Sequence, residues 1–390
     1  MNIKNRNQDD PEKIKKIKEL IVKGEINAIS VDTTVFDGSK RRLDKGAFAQ
    51  LKQFGRHPSD LVISEIVLKE INRHMVDDLK KIKSRIERDL LDSWERVGGD
   101  VEDLNNLKTT IEKFPEITAL CTQRIDAFLE QSKAKVIEAE SHINLSQIIG
   151  LYFDKKPPFH EENSKKKEFP DAIALASLEA WAIKNKKKVV VVSKDGDWRT
   201  FCKDSEHLHL LQDLATALEL FQSPDEHAKI VMKYLRESLA DESSAQRFGI
   251  SELLNRFNWY GIAQILAGAH HYDFDIEDVK LSRIDRFELR RDNGMKLIGV
   301  GEEFITVSCD FDAEARFSVK FLFKSFDEET QKYNELDRVW LETNSDLAVR
   351  AVISIPIKTS RLEIFGIDLQ IDDLTLGFGL LDTRFIPEKR

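Results

Sequence analysis

The stretch VVVVSKDGDW, residues 189–198, decides the fold. Four consecutive valines lack both the alternation of a half-solvated strand and the three-to-four spacing of an amphipathic helix. Apolar and β-branched throughout, they read as a strand buried on both faces of a parallel sheet. The run stops at Ser193, Lys194, Asp195, Gly196 and Asp197, so two carboxylates follow the strand's carboxyl end.

Working outward, INAISV (26–31) has the same buried character and stops at Asp32, Thr33 and Thr34, while LVIS (61–64) and His207–Leu211 read as two shorter strands. Helices separate them. Asp9 or Asp10 can cap a first helix that starts at Pro11, turns Ile14, Ile17, Leu20 and Ile21 to one face, and ends at Gly24. Ser64 can cap a long amphipathic helix marked by Leu68, Ile71, Met75, Leu79, Ile82 and Ile86, with more helix expected through about Ser146. Pro170 suits a first helical turn, which puts Asp171 in that turn, and Asp213 can cap the helix after the last strand. Strands alternating with helices predict an α/β domain whose parallel sheet is covered on both faces.

Ser223, Pro224 and Glu226 have the chemistry of a fresh helix start, so a boundary is placed at 222/223, with helices expected to about His271. Beyond Val279 the pattern changes. FELRR, FITVSCDF, RFSVKFLF, AVRAVISIPI and LEIFGIDLQI predict antiparallel strands, with Asp292, Asn293 and Gly294 as a hairpin turn. The expected organisation is a first domain over 1–222, with a helical insertion over about 72–150, and a C-terminal α+β region over 223–390.

Composition narrows the function classes. With 41% hydrophobic and 33% charged residues the 390-residue chain has the balance of an ordinary globular protein. A net charge of −9 argues against broad electrostatic capture of nucleic acid, although an acidic metal pocket accounts for part of it. Cys121, Cys202 and Cys309 are far apart and form no CxxC pair, so they read as reduced thiols rather than a zinc or disulfide framework. The polar start MNIKNRNQDDPEK lacks a signal peptide's apolar core, and no run is apolar enough for a bilayer, so a cytoplasmic location is expected.

Ligands of parallel α/β sheets bind at the strands' carboxyl ends, and Asp32, Asp171 and Asp195 fall at such positions. Carboxylates crowded there repel one another without a counter-ion, and their hard oxygens suit Mg²⁺ or Mn²⁺. Four segments in order now resemble the PIN-domain nucleases: ISVDTTVF the family's opening strand, ISEIVLKEI its second strand–helix junction, FPDAIALASL its third motif, and VVVVSKDGDW its closing Ser/Thr-x-Asp-x-Asp strand. The resemblance covers roughly residues 25–222 and no part of the C-terminal region. The long helical stretch between Glu70 and Asp171 departs from compact members and resembles a larger bacterial branch. Residue by residue, the resemblance implies that Asp32, Glu70, Asp171 and Asp195 are the metal-binding and catalytic carboxylates, with Asp197 a further metal ligand and Thr33 a second-tier candidate. Glu65, nearer the strand end, competes with Glu70 as the second acidic ligand; the family's leucine-x-Glu-aliphatic spacing favours Glu70 and leaves Glu65 as the alternative. The implied activity is Mg²⁺- or Mn²⁺-dependent endoribonuclease hydrolysis leaving a 5′-phosphate, in a toxin, defence or RNA-turnover setting. Single-stranded DNA is an alternative substrate, and a protein inhibitor and a homo-oligomer are possible partners.

Bland readings stand beside these. Asp32 can cap a turn and Asp171 can simply favour a helix start. The lysines 165–167 and 186–188 read first as solvated runs; as phosphate contacts the first cluster is the better candidate of the two because it precedes Asp171. His207 with His209, and His270 with His271, lack the further ligands of a metal site. Trp198 reads as packing. A haloacid-dehalogenase reading of VDTTVFDG fails because Thr34 stands where the second carboxylate is needed. The rival from another class is a non-catalytic PIN-fold scaffold that binds RNA or protein through the C-terminal β region.

Overall fold

The valines of 189–192 lie inside a five-stranded sheet, and their side chains are fully buried. The computed structural model describes residues 9–97, 106, 109, 116–154, 156–159, 168–223, 226–269, 272–291, 294–327, 332–357, 364–371 and 374–381. The lysines 165–167, His270, His271, Pro224, Asp292 and Asn293 lie outside the described residues. The chain divides into two compact units, Met1–Gln222 and Ser223–Arg390.

The first unit runs α1 (Pro11–Val22), β1 (Ile26–Val31), α2 (Thr33–Gly38), α3 (Gly46–Ala49) with a 3-10 turn over Gln50–Gly55, β2 (Asp60–Ser64), α4 (Glu65–Val97), α5 (Ile117–Ser132), β3 (Lys135–Ile137), α6 (Leu145–Phe153), α7 (Phe169–Lys184), β4 (Lys188–Val192), α8 (Gly196–Asp204), β5 (Leu208–Leu211) and α9 (Leu214–Leu220). The strands lie in the order β3-β2-β1-β4-β5, and each neighbouring pair is parallel. Strand order therefore runs outward from β1 to β3, then restarts on the other side with β4. Such a reversal opens a crevice at the carboxyl ends of the two strands that flank it, here β1 and β4. Asp32 follows one of these strands and Asp195 the other.

Local chemistry sets the element ends. Asp10 Oδ1 accepts from the Glu12 N–H (3.0 Å) to cap α1, and Gly24, at φ +73°, closes that helix in the left-handed region that glycine enters without a Cβ clash. Asp213 Oδ2 accepts from the Thr216 N–H (2.9 Å) at the start of α9. The sequence placed helix through about Ser146, but Lys135–Ile137 forms the edge strand β3. A strand of three residues is too short to display an alternation, so pairing with β2 identifies it where periodicity does not.

In the second unit, α10 (Glu226–Ala240) and α11 (Ala245–Asn255) lead into β6 (Ala263–Gly268), β7 (Asp273–Leu289), β8 (Met295–Val300), β9 (Phe304–Asp327), β10 (Lys332–Pro356), β11 (Gly366–Ile371) and β12 (Leu374–Leu380). Helix was expected to about His271, yet it ends at Asn255, and residues 263–268 pair as a strand with β12. FITVSCDF and RFSVKFLF, read as two strands, are one strand of 24 residues. The joining DAEA keeps the alternation, with Ala313 and Ala315 buried and Asp312 and Glu314 exposed, but alanine is too weakly apolar to show it. β7, β9, β10 and β11 form an antiparallel sheet, with β8 also on β9. Its apolar face packs on Val231, Leu235, Leu239, Ile250, Leu254 and Trp259. The parallel α/β unit and the strand-rich antiparallel unit are the two classes that the sequence predicts.

Candidate functional site

At the carboxyl end of β1 the chain turns directly into α2, and Asp32 sits at that junction, 3% exposed. Its Oδ1 accepts from the Thr33 N–H (2.6 Å); its Oδ2 accepts from the hydroxyls of Thr34 (2.7 Å) and Ser193 (2.8 Å). Burial raises the Asp32 carboxyl above the ordinary carboxylate range, and these hydrogen bonds act against that rise. The capping role read from the sequence is therefore present, but a surface cap needs neither this burial nor a partner 161 residues away in the chain.

Asp195 repeats the arrangement after β4. Its Oδ1 accepts from the N–H groups of Asp197 (2.6 Å) and Trp198 (3.2 Å), which starts α8. Ser193 joins the two turns: its Oγ accepts from the Asp195 N–H (3.0 Å) and donates to Asp32. The Lys194 N–H donates to Thr34 Oγ1 (3.1 Å), which makes a second tie between the same turns. Asp197 meets the site through its N–H on Asp195.

Asp171 lies in the first turn of α7, where the indole Nε1–H of the buried Trp198 donates to its Oδ1 (2.8 Å). Trp198 thus packs, as expected, and also orients an acid. Burial pushes the Asp171 carboxyl up to about 7; the indole hydrogen bond pulls the other way, and the charges of Asp32, Asp195 and Glu70 add to the rise. The four acids are electrostatic neighbours even though they come from four separate stretches of chain.

Glu70 enters from α4, where its Oε2 accepts from the hydroxyl of Thr33 (3.0 Å). One turn further along both helices His74 Nδ1 meets Asp37 Oδ1 (3.0 Å), and beyond that Arg41 lies 3.7 Å from Asp78. This ladder registers α4 against the turn that carries Asp32. Glu65, the competing acid, is committed elsewhere: it accepts from the Ala139 N–H (2.9 Å) and pairs with Lys69 (2.6 Å), tying the start of α4 to the segment after β3.

The donor set consists of hard carboxylate oxygens, and the repulsion lodged on Asp171 is what a divalent cation would offset, so the chemistry fits Mg²⁺ or Mn²⁺. Among the described residues no three His, Cys, Asp or Glu side chains stand together as a finished ligand cluster. The lysine run 186–188 is at the other end of the sheet: Lys187 pairs with Asp60, and Lys188 with Glu25 (3.1 Å), at the strands' amino ends. Burial and the nearby lysines 188, 16 and 13 push His209 down to about 4, so it stays neutral at physiological pH. The sequence does not by itself show that Ser193 and Thr34 hold Asp32; a hydroxyl adjacent to each acidic turn is the signal that finds them.

Among the described residues no helix is long and apolar enough to cross a membrane. Comparison with curated proteins gave no match, and comparison with solved structures gave none. The family model of the PIN domain matches residues 29–198, a span from the middle of β1 to Trp198 that holds Asp32, Glu70, Asp171, Asp195 and Asp197. Residues 29–198 thus match the PIN-domain family, whose members are generally nucleases.

Proposed function

We propose that this PIN domain is a metal-dependent endoribonuclease in which Asp32, Glu70, Asp171 and Asp195 bind the metal and Asp197 flanks it. The observation that carries the reading is Asp171, a partly buried carboxyl that feels the charges of Asp32, Asp195 and Glu70. Acids gathered in this way destabilise the fold without a cation, and such a cluster in a crevice is a mark of function rather than of packing. Glu70 is preferred to Glu65 because it acts on Asp171 and meets Thr33, whereas Glu65 is taken up by Ala139 and Lys69.

A bound Mg²⁺ or Mn²⁺ supplies positive charge for the phosphate oxygens and lowers the pKa of a water. The chain's own contribution is placement. Ser193 and Thr34 hold one oxygen of Asp32, the α8 N–H groups hold one oxygen of Asp195, and Trp198 fixes one oxygen of Asp171, which leaves a second oxygen on Asp171 and Asp195 to turn towards a ligand. Thr33 fixes Glu70 from the neighbouring helix.

Purified protein incubated with labelled RNA or single-stranded DNA, in Mg²⁺, Mn²⁺ or chelator, tests the reading. Internal cleavage of RNA in Mn²⁺, lost in chelator and reduced by at least about 10³-fold in folded Asp32→Asn and Asp195→Asn variants, is the expected result. RNA binding without cleavage in any metal, unchanged in both variants, would replace the nuclease with a scaffold.

A further inference from the structure

Four acids around one crevice pose a problem for a nuclease, because the pocket that attracts metal repels the phosphate backbone it is meant to cut. One of the four is treated differently from the rest. Among the described residues Glu70 is the acid with a cationic partner: Arg73, one turn along α4, places Nη2 3.5 Å from Glu70 Oε1, while Oε2 accepts from Thr33. The Arg73 side chain is 63% exposed and that of Glu70 25%. The guanidinium thus reaches in from solvent and occupies the outward oxygen of a metal-binding carboxylate.

We propose that Arg73 is the residue that binds the scissile phosphate, held on Glu70 until a metal takes that carboxylate; this rests on the nuclease reading above. Three physical steps support the exchange. A solvent-exposed pair on one helix turn is weak, whereas a divalent cation would bring two charges to the same carboxylate and would share it with the neighbouring acids, so a bound metal would displace Arg73 from Glu70. Released from Glu70, the guanidinium has a flexible, exposed stem and stays at the rim of the crevice. Its planar fork presents two parallel N–H donors that match two oxygens of one phosphate, a geometry a lysine cannot offer. Arg73 touches substrate on this account and does not hold the metal.

The exchange makes Arg73 a competitor of the metal and a partner of the substrate, so its removal acts on the two in opposite directions. In the full-length protein Arg73→Gln is expected to tighten Mn²⁺ binding about 2- to 5-fold by calorimetry, because the carboxylate no longer has a competing cation. The same variant is expected to lose about 10- to 100-fold in kcat/KM on labelled RNA, with Arg73→Lys between it and the unsubstituted protein. Thermal denaturation in chelator checks that both variants fold. Weaker Mn²⁺ binding in Arg73→Gln, or kcat/KM within about twofold of the unsubstituted protein, overturns the assignment and leaves the nuclease standing. Absence of Mn²⁺-dependent cleavage by the unsubstituted protein removes the nuclease reading and this assignment together.

Discussion

The two units treat charge in opposite ways. On the polar face of the antiparallel sheet charges are paired across strands, Arg290 with Asp312 (2.6 Å), Lys320 with Glu277 (2.9 Å), Arg316 with Glu342 (3.7 Å) and Arg286 with Glu314 (3.5 Å), and along β7, Arg286 with Glu288 (2.8 Å). In the parallel unit the charges of Asp32 and Asp195 act on Asp171, and among the described residues these three acids have hydroxyls, N–H groups and an indole as partners but no cation. The strands explain the contrast. Long antiparallel strands lay successive charges on one open face, where a neighbour of opposite sign costs little to arrange. Short parallel strands, buried on both faces, can place polar groups only at their ends, where the connections of several strands converge. Charge on the polar face of the second unit therefore serves solubility and register, whereas among the described residues the acids at the strand ends of the first unit are left without cationic neighbours.

The contrast breaks most visibly in the apolar layers. Stability in the second unit comes from rings and aliphatic chains behind the charged face. Phe317 is fully buried there, with its ring edge-on to Trp259 at 5.0 Å. Phe317→Ala is expected to cost about 3–5 kcal/mol through lost burial and the cavity left behind. A guanidinium-chloride titration followed by tryptophan fluorescence reads this as a lower midpoint; an unchanged midpoint would mean that the long strands are held by their ion pairs after all.

In the first unit, removal of a charge should stabilise. An unfolded Asp171 releases its proton near 3.8 and the folded one near 7, so between those values the native state binds more protons and stability falls as pH rises. Above about pH 7 the full penalty remains, with an upper bound of about 4 kcal/mol and roughly half of that once solvent access is allowed for. Asp171→Asn cannot ionise, and its amide oxygen still accepts from Trp198. In chelator at pH 8 it should melt several degrees above the unsubstituted protein, and at pH 3.5, where the folded state is protonated and the unfolded state mostly so, the difference should nearly vanish. A lower melting point at pH 8 would show that the acids are not mutually repelling. The same substitution should abolish Mn²⁺-dependent cleavage, and the unsubstituted protein should bind Mn²⁺ more tightly as pH rises through about 7.

How much of this was legible beforehand divides along the same line. Parallel strands announced themselves through INAISV and VVVVS, because burial on both faces leaves no polar residue to blur the run, and the acids that follow them mark the strand ends. Asp171 was placed in its first turn by Pro170 alone. What was not legible is what depends on partners distant in the chain. Ser193 bridging Asp32 and Asp195, Trp198 orienting Asp171 and Thr33 reaching Glu70 all need the fold before the contact exists. Lys135–Ile137 is a strand because β2 offers it an edge, not because of a pattern of its own. The second unit hid its strand lengths in the alanines of DAEA and in Asp273–Asp278, where four acids disguise a strand that pairs with β9.

The smallest effect is expected at Glu277, and its size is the point of the test. This residue lies where β7 slips register against β9, between Ile276 and Asp278, and its carboxylate reaches Lys320 on β9 and Arg338 on β10, each at 2.9 Å. The Lys320 hydrogen bond, followed by that of Arg338, holds the Glu277 carboxyl below its ordinary range. Its depressed pKa gives a stabilisation that is present above about pH 4.5 and is lost as pH falls below it. Because all three groups are open to solvent, screening leaves Glu277→Gln a cost of less than about 1 kcal/mol at low salt, and less still in 0.5 M NaCl. A loss above about 2 kcal/mol that salt does not reduce would place this triad among the buried networks that hold a fold together, and the division between a unit with balanced charges and a unit with unbalanced ones would fail.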